Sequence, residues 1–195
     1  LGERPQIKSR ERVARHGEVF TNPREVNAML DLVKDETERI DSRFLEPACG
    51  NGNFLAAILE RKLAVVERRY GHNRADYELN ALIAVASLYG IELLEDNAEE
   101  CRERLLGIVS EHASRRYREE REAAPASSSS AYHAEASSEA SPAFLRSAAY
   151  IIRRNIICGD ALTLCAADGR PVAFAEWSCI GGGMIKRRDF TLDML

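Results

Sequence analysis

The sequence predicts one α/β domain built on a mostly parallel sheet with flanking helices. Three observations carry this reading. Short apolar runs stand at residues 43–49, 88–93 and 155–162. Stretches of helical periodicity separate them, and strands separated by helices call for right-handed crossovers between parallel neighbours. Each run ends in an acidic or glycine-bearing turn, and ligands of such sheets sit at the carboxyl ends of the strands. The polar residues that follow strands therefore matter most: Glu46 to Asn53, Glu92, Asp160 and Glu176.

The elements follow in order. Asn22-Pro23-Arg24-Glu25 supplies a cap, a proline at the first helical position and an acid at the third. Val26, Met29, Leu30 and Val33 then form one apolar stripe at i, i+3, i+4, i+7. Residues 43–49 read as a short strand, and 53–61 as a helix burying Phe54, Leu55, Ile58 and Leu59. A helix over 76–87 carries Leu79, Leu82, Ile83 and Ala86 on one face, and "LYGIEL", 88–93, is a buried strand. Asp96-Asn97-Ala98-Glu99 is a second capping box, opening a long helix with Ala98, Cys101, Leu105, Ile108 and His112 inward. Beyond Arg115 the pattern is wholly charged, so the helix is expected to project into water.

Residues 123–142 are Ser/Ala-rich and bury too little apolar area to offset their ordering entropy. They are expected to form a disordered loop within a single domain spanning 1–195. Residues 143–152 read as a helix, "NIICGDAL" (155–162) as a third strand, and 171–178 as an alternating strand. Ile180-Gly181-Gly182-Gly183 turns, and 184–190 returns as a hairpin partner.

Composition sets bounds. The 195 residues suffice for one domain with a core. No apolar run reaches the ~18 residues of a membrane span, and the charged N-terminus shows no signal peptide. Five cysteines, an odd number without a CxxC pair, speak against a disulfide framework and a zinc site. Reduced thiols in a cytoplasm are expected. The net charge is −4, so DNA contact would have to come from local patches. Two exist: the N-terminal basic run from Lys8 to Arg15, and Lys186-Arg187-Arg188.

The chemistry begins at "FLEPACGNGNFL", residues 44–55. Gly50 and Gly52 permit positive φ and close approach of a ligand to the backbone. The helix that follows points free amide groups at the same place, which suits a carboxylate or phosphate. A dinucleotide fingerprint would require a third glycine where Leu55 stands. Glu92 ends the second strand, where an acid accepts hydrogen bonds from ribose hydroxyls. Asp160 ends the third, where a carboxylate can accept from an adenine amino group with Ala161 and Leu162 against the ring. Three such signals at three strand ends outline a nucleoside with a charged tail.

These residues resemble the S-adenosylmethionine-dependent, adenine-specific DNA methyltransferases of restriction–modification systems. "HGEVFTNPREV" (16–26) looks like the N-terminal cofactor motif of that family, and "FLEPACGNGNFL" like its glycine motif. "LYGIEL" and "NIICGDAL" match the next two in order. The resemblance implies a Rossmann-like class I methyltransferase fold, shortened at the C-terminus. It implies S-adenosyl-L-methionine as cofactor. Thr21, Glu46, Pro47, Ala48, Gly50, Asn51 and Gly52 would form the methionine end, Glu92 would hold the ribose, and Asp160 with Ala161 the adenine. DNA would be the substrate.

The family's catalytic tetrapeptide, Asn (or Asp or Ser)-Pro-Pro-aromatic, is not found in the sequence. At about its place stands Ala175-Glu176-Trp177-Ser178, which makes Trp177 a candidate base stacker and Glu176 a candidate acceptor from an amino group. Three readings stay open: an active methyltransferase, alone or completed by a second subunit; a cofactor-binding module that has lost catalysis; and a Rossmann oxidoreductase.

Overall fold

The computed structural model describes residues 6–123 and 139–191. Its principal sheet has the order β1 (Phe44–Glu46), β2 (Leu88–Glu92), β3 (Ile156–Asp160), β4 (Cys165–Ala166). The first three strands run parallel, with Phe44 opposite Leu88 and Gly90 opposite Ile156, and β4 folds back antiparallel on β3. The helices are α1 (Arg10–His16), α2 (Pro23–Asp31), α3 (Lys34–Thr37), α4 (Asn53–Tyr70), α5 (Arg74–Ala86), α6 (Glu95–Ala123) and α7 (Pro142–Asn155). A separate antiparallel pair, β5 (Ala173–Cys179) and β6 (Ile185–Thr191), completes the described elements. The mixed α/β architecture with a mostly parallel sheet is thus present. None of the described helices is long and apolar enough to cross a membrane.

The elements form for local reasons. Asn22 caps α2, its Oδ1 accepting from Arg24 N at 2.9 Å, and Pro23 begins the helix. β1 is shorter than its apolar run because Pro47 cannot donate to a ladder, although Cys49 N still reaches Ile91 O at 3.0 Å. Helix α4 runs on past residue 61 to Tyr70 and buries Leu55, Leu59, Leu63 and Val66.

Several boundaries and faces differ from the expectation. The buried seam of α6 is Ala98, Cys101, Leu105, Val109, Ala113 and Tyr117, one step round from Ile108 and His112. The helix therefore does not leave the protein at Arg115. Tyr117 meets Tyr77 edge to face at 6.1 Å, donates to Glu78 at 2.9 Å, and lies under the Arg74 guanidinium. Of the expected disordered segment, 124–138 lie outside the described residues. Its end is helical: Ser141 caps α7 by accepting from Phe144 N, and Pro142 is the first helical residue.

In α2, Val26 and Leu30 are buried, but Met29, and Val33 just beyond the helix, are 54% and 45% exposed. The cause lies in the sheet order. β1 is an edge strand, and no described strand pairs with its outer side. Met29 and Val33 instead line an apolar groove of about 210 Å³ with Phe44, Leu45, Phe54 and Ile58.

Lys62 of α4 is fully buried. Its ammonium donates to Ile40 O at 3.2 Å, to Ser42 O and to Ser87 Oγ at 2.5 Å, and sits over the Phe44 ring. It thus ties the loop before β1 to the residue before β2. Burial pushes its pKa down to about 7. The unfolded chain keeps this proton up to about pH 10.4, so between the two values unfolding takes up a proton. Stability is therefore expected to rise from pH 7.5 to 8.5, with Lys62 contributing up to about 1.4 kcal/mol per pH unit. Urea unfolding across this interval checks it, and Lys62→Met should lose this part of the slope.

Candidate functional site

At the carboxyl ends of the parallel strands lies a cavity of about 580 Å³. Such a volume suits a ligand of cofactor size. The turn after β1, the residues after β2 and β3, and the segment between α1 and α2 form its walls. The structure brings Thr21, Glu46, Pro47, Ala48, Gly50, Asn51, Glu92, Asp160 and Ala161 together there. Gly52 lies behind the wall, with φ +83° and an added Cβ 2.6 Å from Cys101 Sγ. A side chain there would be strained by the positive φ and would push the Cys101 thiol aside. Gly50, with φ +53°, packs under the ring of Phe20.

Glu92 holds the turn in place. Its Oε2 accepts from Gly50 N at 2.8 Å, and its Oε1 accepts from Leu94 N at 3.0 Å and Asn97 Nδ2 at 3.3 Å. The residue is 8% exposed. Glu46 bends toward its own turn, accepting from Ala48 N at 3.4 Å, and burial raises its carboxyl pKa. Asp160 caps its turn through Oδ1, which accepts from Leu162 N at 2.8 Å. Asn53 opens α4 and donates to Thr21 O at 2.8 Å, fixing the segment before α2 against the glycine turn. The first turn of α4 has no side-chain cap, so its leading amide groups remain available to a ligand.

Two residues were not singled out in the sequence. Glu18 and Asn97 both line the cavity, and Asn97 Nδ2 donates to Glu18 Oε2 at 3.1 Å. Glu18 follows a short helix and shows no periodic signal, and Asn97 reads as a position within a capping box. Asp96, the expected cap, is engaged instead by α1. Arg12 and Lys8 bond its carboxylate, and the Arg12 hydrogen bond leads in lowering its pKa to about 2. The same Arg12 donates through Nε to Glu18 at 2.7 Å.

A family model for the MmeI DNA-methyltransferase domain matches residues 20–136, more than half of the chain. The chain belongs to this family. No curated protein and no solved structure matches it. The expected kinship with restriction–modification DNA methyltransferases is thereby established. The matched span holds the glycine turn and Glu92, while Asp160, Glu176 and Trp177 lie beyond it.

In this methyltransferase domain Glu176 and Trp177 do not join the cavity. Glu176 pairs with Arg43, just before β1, and with Arg188 at 3.6 Å. Trp177 Nε1 donates to Asn155 Oδ1 at 3.3 Å, just before β3, and its ring meets Tyr150 edge to face. Both therefore sit at the amino ends of the strands, about 13 Å along β3 from Asp160. The reason is the placement of β5, which among the described strands pairs only with β6 and packs on β2 through Tyr89. Lys186-Arg187-Arg188 lies on β6 at the same end, with Arg187 bonded to Tyr150 and Asp189. Of the N-terminal basic run, Lys8 and Arg12 are engaged with Asp96 and pair also with Glu100 and Glu18 respectively.

Replacing Glu92 by Ala would leave the Gly50 and Leu94 amide groups without their acceptor. An orphaned buried donor costs about 1–3 kcal/mol. Glu92→Ala is therefore expected to lower the urea midpoint as well as ligand affinity. Glu92→Gln, which keeps one acceptor oxygen, should fall between it and the wild type in the same titration.

Proposed function

We propose that this chain binds S-adenosyl-L-methionine and acts as a DNA methyltransferase on adenine. One observation carries the cofactor half. Four carboxylates line the cavity, those of Glu18, Glu46, Glu92 and Asp160, and no Lys or Arg lies among the described lining residues. Such a wall favours a cationic ligand rich in hydrogen-bond donors and opposes a pyrophosphate. It therefore supports a sulfonium nucleoside over the dinucleotide of a Rossmann oxidoreductase.

The residues fit that group. Asp160 and Ala161 would take the adenine and Glu92 the ribose. Glu46, Thr21, Pro47 and Ala48 would surround the methionine ammonium. The glycine turn, Gly50 to Gly52, and the uncapped start of α4 would receive its carboxylate. When bound, the sulfonium supplies an activated methyl group and a neutral thioether as leaving group. The protein's part is then positioning and charge complementarity.

The acceptor half rests on the family and on one feature of the wall. Glu46 lines both the cavity and the apolar groove beside β1, so the two spaces adjoin. An adenine turned out of the duplex would meet the methyl donor from that side, its apolar faces against Phe44 and Phe54. Because Glu176 and Trp177 stand at the other end of the sheet, this reading includes a second subunit or segment that holds the target amino group. The five free cysteines agree with a reducing cytoplasm.

Millimolar S-adenosylmethionine or S-adenosylhomocysteine should raise the melting temperature by several degrees, since a ligand bound only by the folded state stabilises it. NADH should leave it unchanged. Absence of any shift with a folded protein would refute the cofactor assignment. Glu176→Ala and Trp177→Ala should keep the shift. Labelled methyl incorporation into unmethylated DNA then tests transfer itself.

A further inference from the structure

Three buried polar atoms of cavity-lining residues have no partner among the described residues: Glu18 Oε1, Asn51 Oδ1 and Asn97 Oδ1. Their identities as acceptors follow from their neighbours. Asn97 Nδ2 faces two carboxylates, Glu18 and Glu92, and carboxylates only accept. The amide oxygen must therefore be the free atom. Asn51 is oriented in the same way by Glu100, at 3.2 Å. Glu18 is held through Oε2 by Arg12 and Asn97, and its side chain is 7% exposed, which leaves Oε1 buried and unused by either of them. A buried acceptor without a donor costs about 1–3 kcal/mol, and donors of a ligand in the cavity would relieve that cost.

Glu92 alone is poorly placed to satisfy a ribose. A carboxylate offers about four lone-pair sites. Gly50 N, Leu94 N and Asn97 Nδ2 already occupy three of those of Glu92. A cis diol brings two hydroxyl donors, one more than Glu92 has room for. We propose that Glu18 is the second carboxylate of a ribose clamp, with Asn97 holding Glu18 and Glu92 side by side so that each accepts one hydroxyl of the nucleoside. The proposal rests on the S-adenosylmethionine reading above and adds a residue to it. It also explains why Arg12 of α1 reaches over to Glu18: the hydrogen bond fixes the rotamer of the carboxylate.

The test is calorimetric titration of the full chain with S-adenosylhomocysteine and with its 2′-deoxy and 3′-deoxy analogues. In Glu18→Gln, Arg12 and Asn97 keep the amide oxygen facing them, so the amide nitrogen faces the cavity and an acceptor becomes a donor. The variant is expected to bind S-adenosylhomocysteine 10- to 100-fold more weakly. The wild type should discriminate against both deoxy analogues, and the variant should lose that discrimination against one of them. Glu18→Asp, which keeps the charge and withdraws the oxygen, should show the same selective loss and serves if the Gln variant does not fold. Equal affinity in wild type and variant, or unchanged discrimination against both analogues, would overturn the clamp and leave the cofactor reading standing. If the wild type binds no S-adenosylhomocysteine, both fall together.

Discussion

A single carboxylate, that of Glu92, joins the two strand ends on which the site depends. It closes β2, and it accepts from the turn that follows β1 and from the residue that leads into α6. The parallel register makes this reach possible, because Glu46 stands opposite Gly90 and the next residues of both chains rise together above the sheet. The turn is then held on further sides. Ile91 O takes the Cys49 amide, and Cys101 of α6 closes on Gly52. Cys49 and Cys101 meet in that packing, and their hydrogen bond, with burial, pushes the Cys49 thiol far up, so it stays neutral. Any change in this knot moves β1, β2 and α6 at once.

The charge pattern follows from the same knot. The carboxylates face the cavity, and the cations that balance them stand outside its wall. Arg12 of α1 donates to Glu18 at 2.7 Å and, with Lys8 just before the helix, binds Asp96, while Arg104 donates to Asn53 Oδ1 at 2.6 Å. The negative groups are thus oriented without being neutralised from within. Helix α1 buries no residue of its own. Its position across the cavity mouth depends on these polar contacts, which salt weakens where they are exposed.

Much of this was legible in the sequence, and the rest was hidden for identifiable reasons. Strand–helix alternation, the Asn22 cap and the acids at the ends of β2 and β3 are local signals, and local physics set them. The partly exposed Met29 and Val33 were hidden because periodicity reports an apolar face and not what covers it. The inward turn of Tyr117 was hidden because its neighbours in the chain are charged, while its partners Tyr77, Glu78 and Arg74 come from α5. Glu18 and Asn97 were hidden because their role arises only when three separate segments meet. The placement of Trp177 could not be read either, since a strand pattern does not say which sheet a strand joins.

That last point bears on how the two ends of the sheet divide their work. At the amino ends, Arg43, Asn155 and Tyr150 engage the hairpin, and Glu176 and Trp177 serve to fasten it. Beside them Lys62 ties the entry to β1 to that of β2. The polar groups among these contacts satisfy one another, the buried Lys62 most fully. At the carboxyl ends the opposite holds: Glu18, Asn51 and Asn97 keep acceptors in hand within the wall. Such atoms are left unsatisfied at a cost, and donors from a ligand would complete them. The asymmetry between a closed end and an unsatisfied one, within one short parallel sheet, is the physical reason for placing the ligand where Glu92 ties the turn.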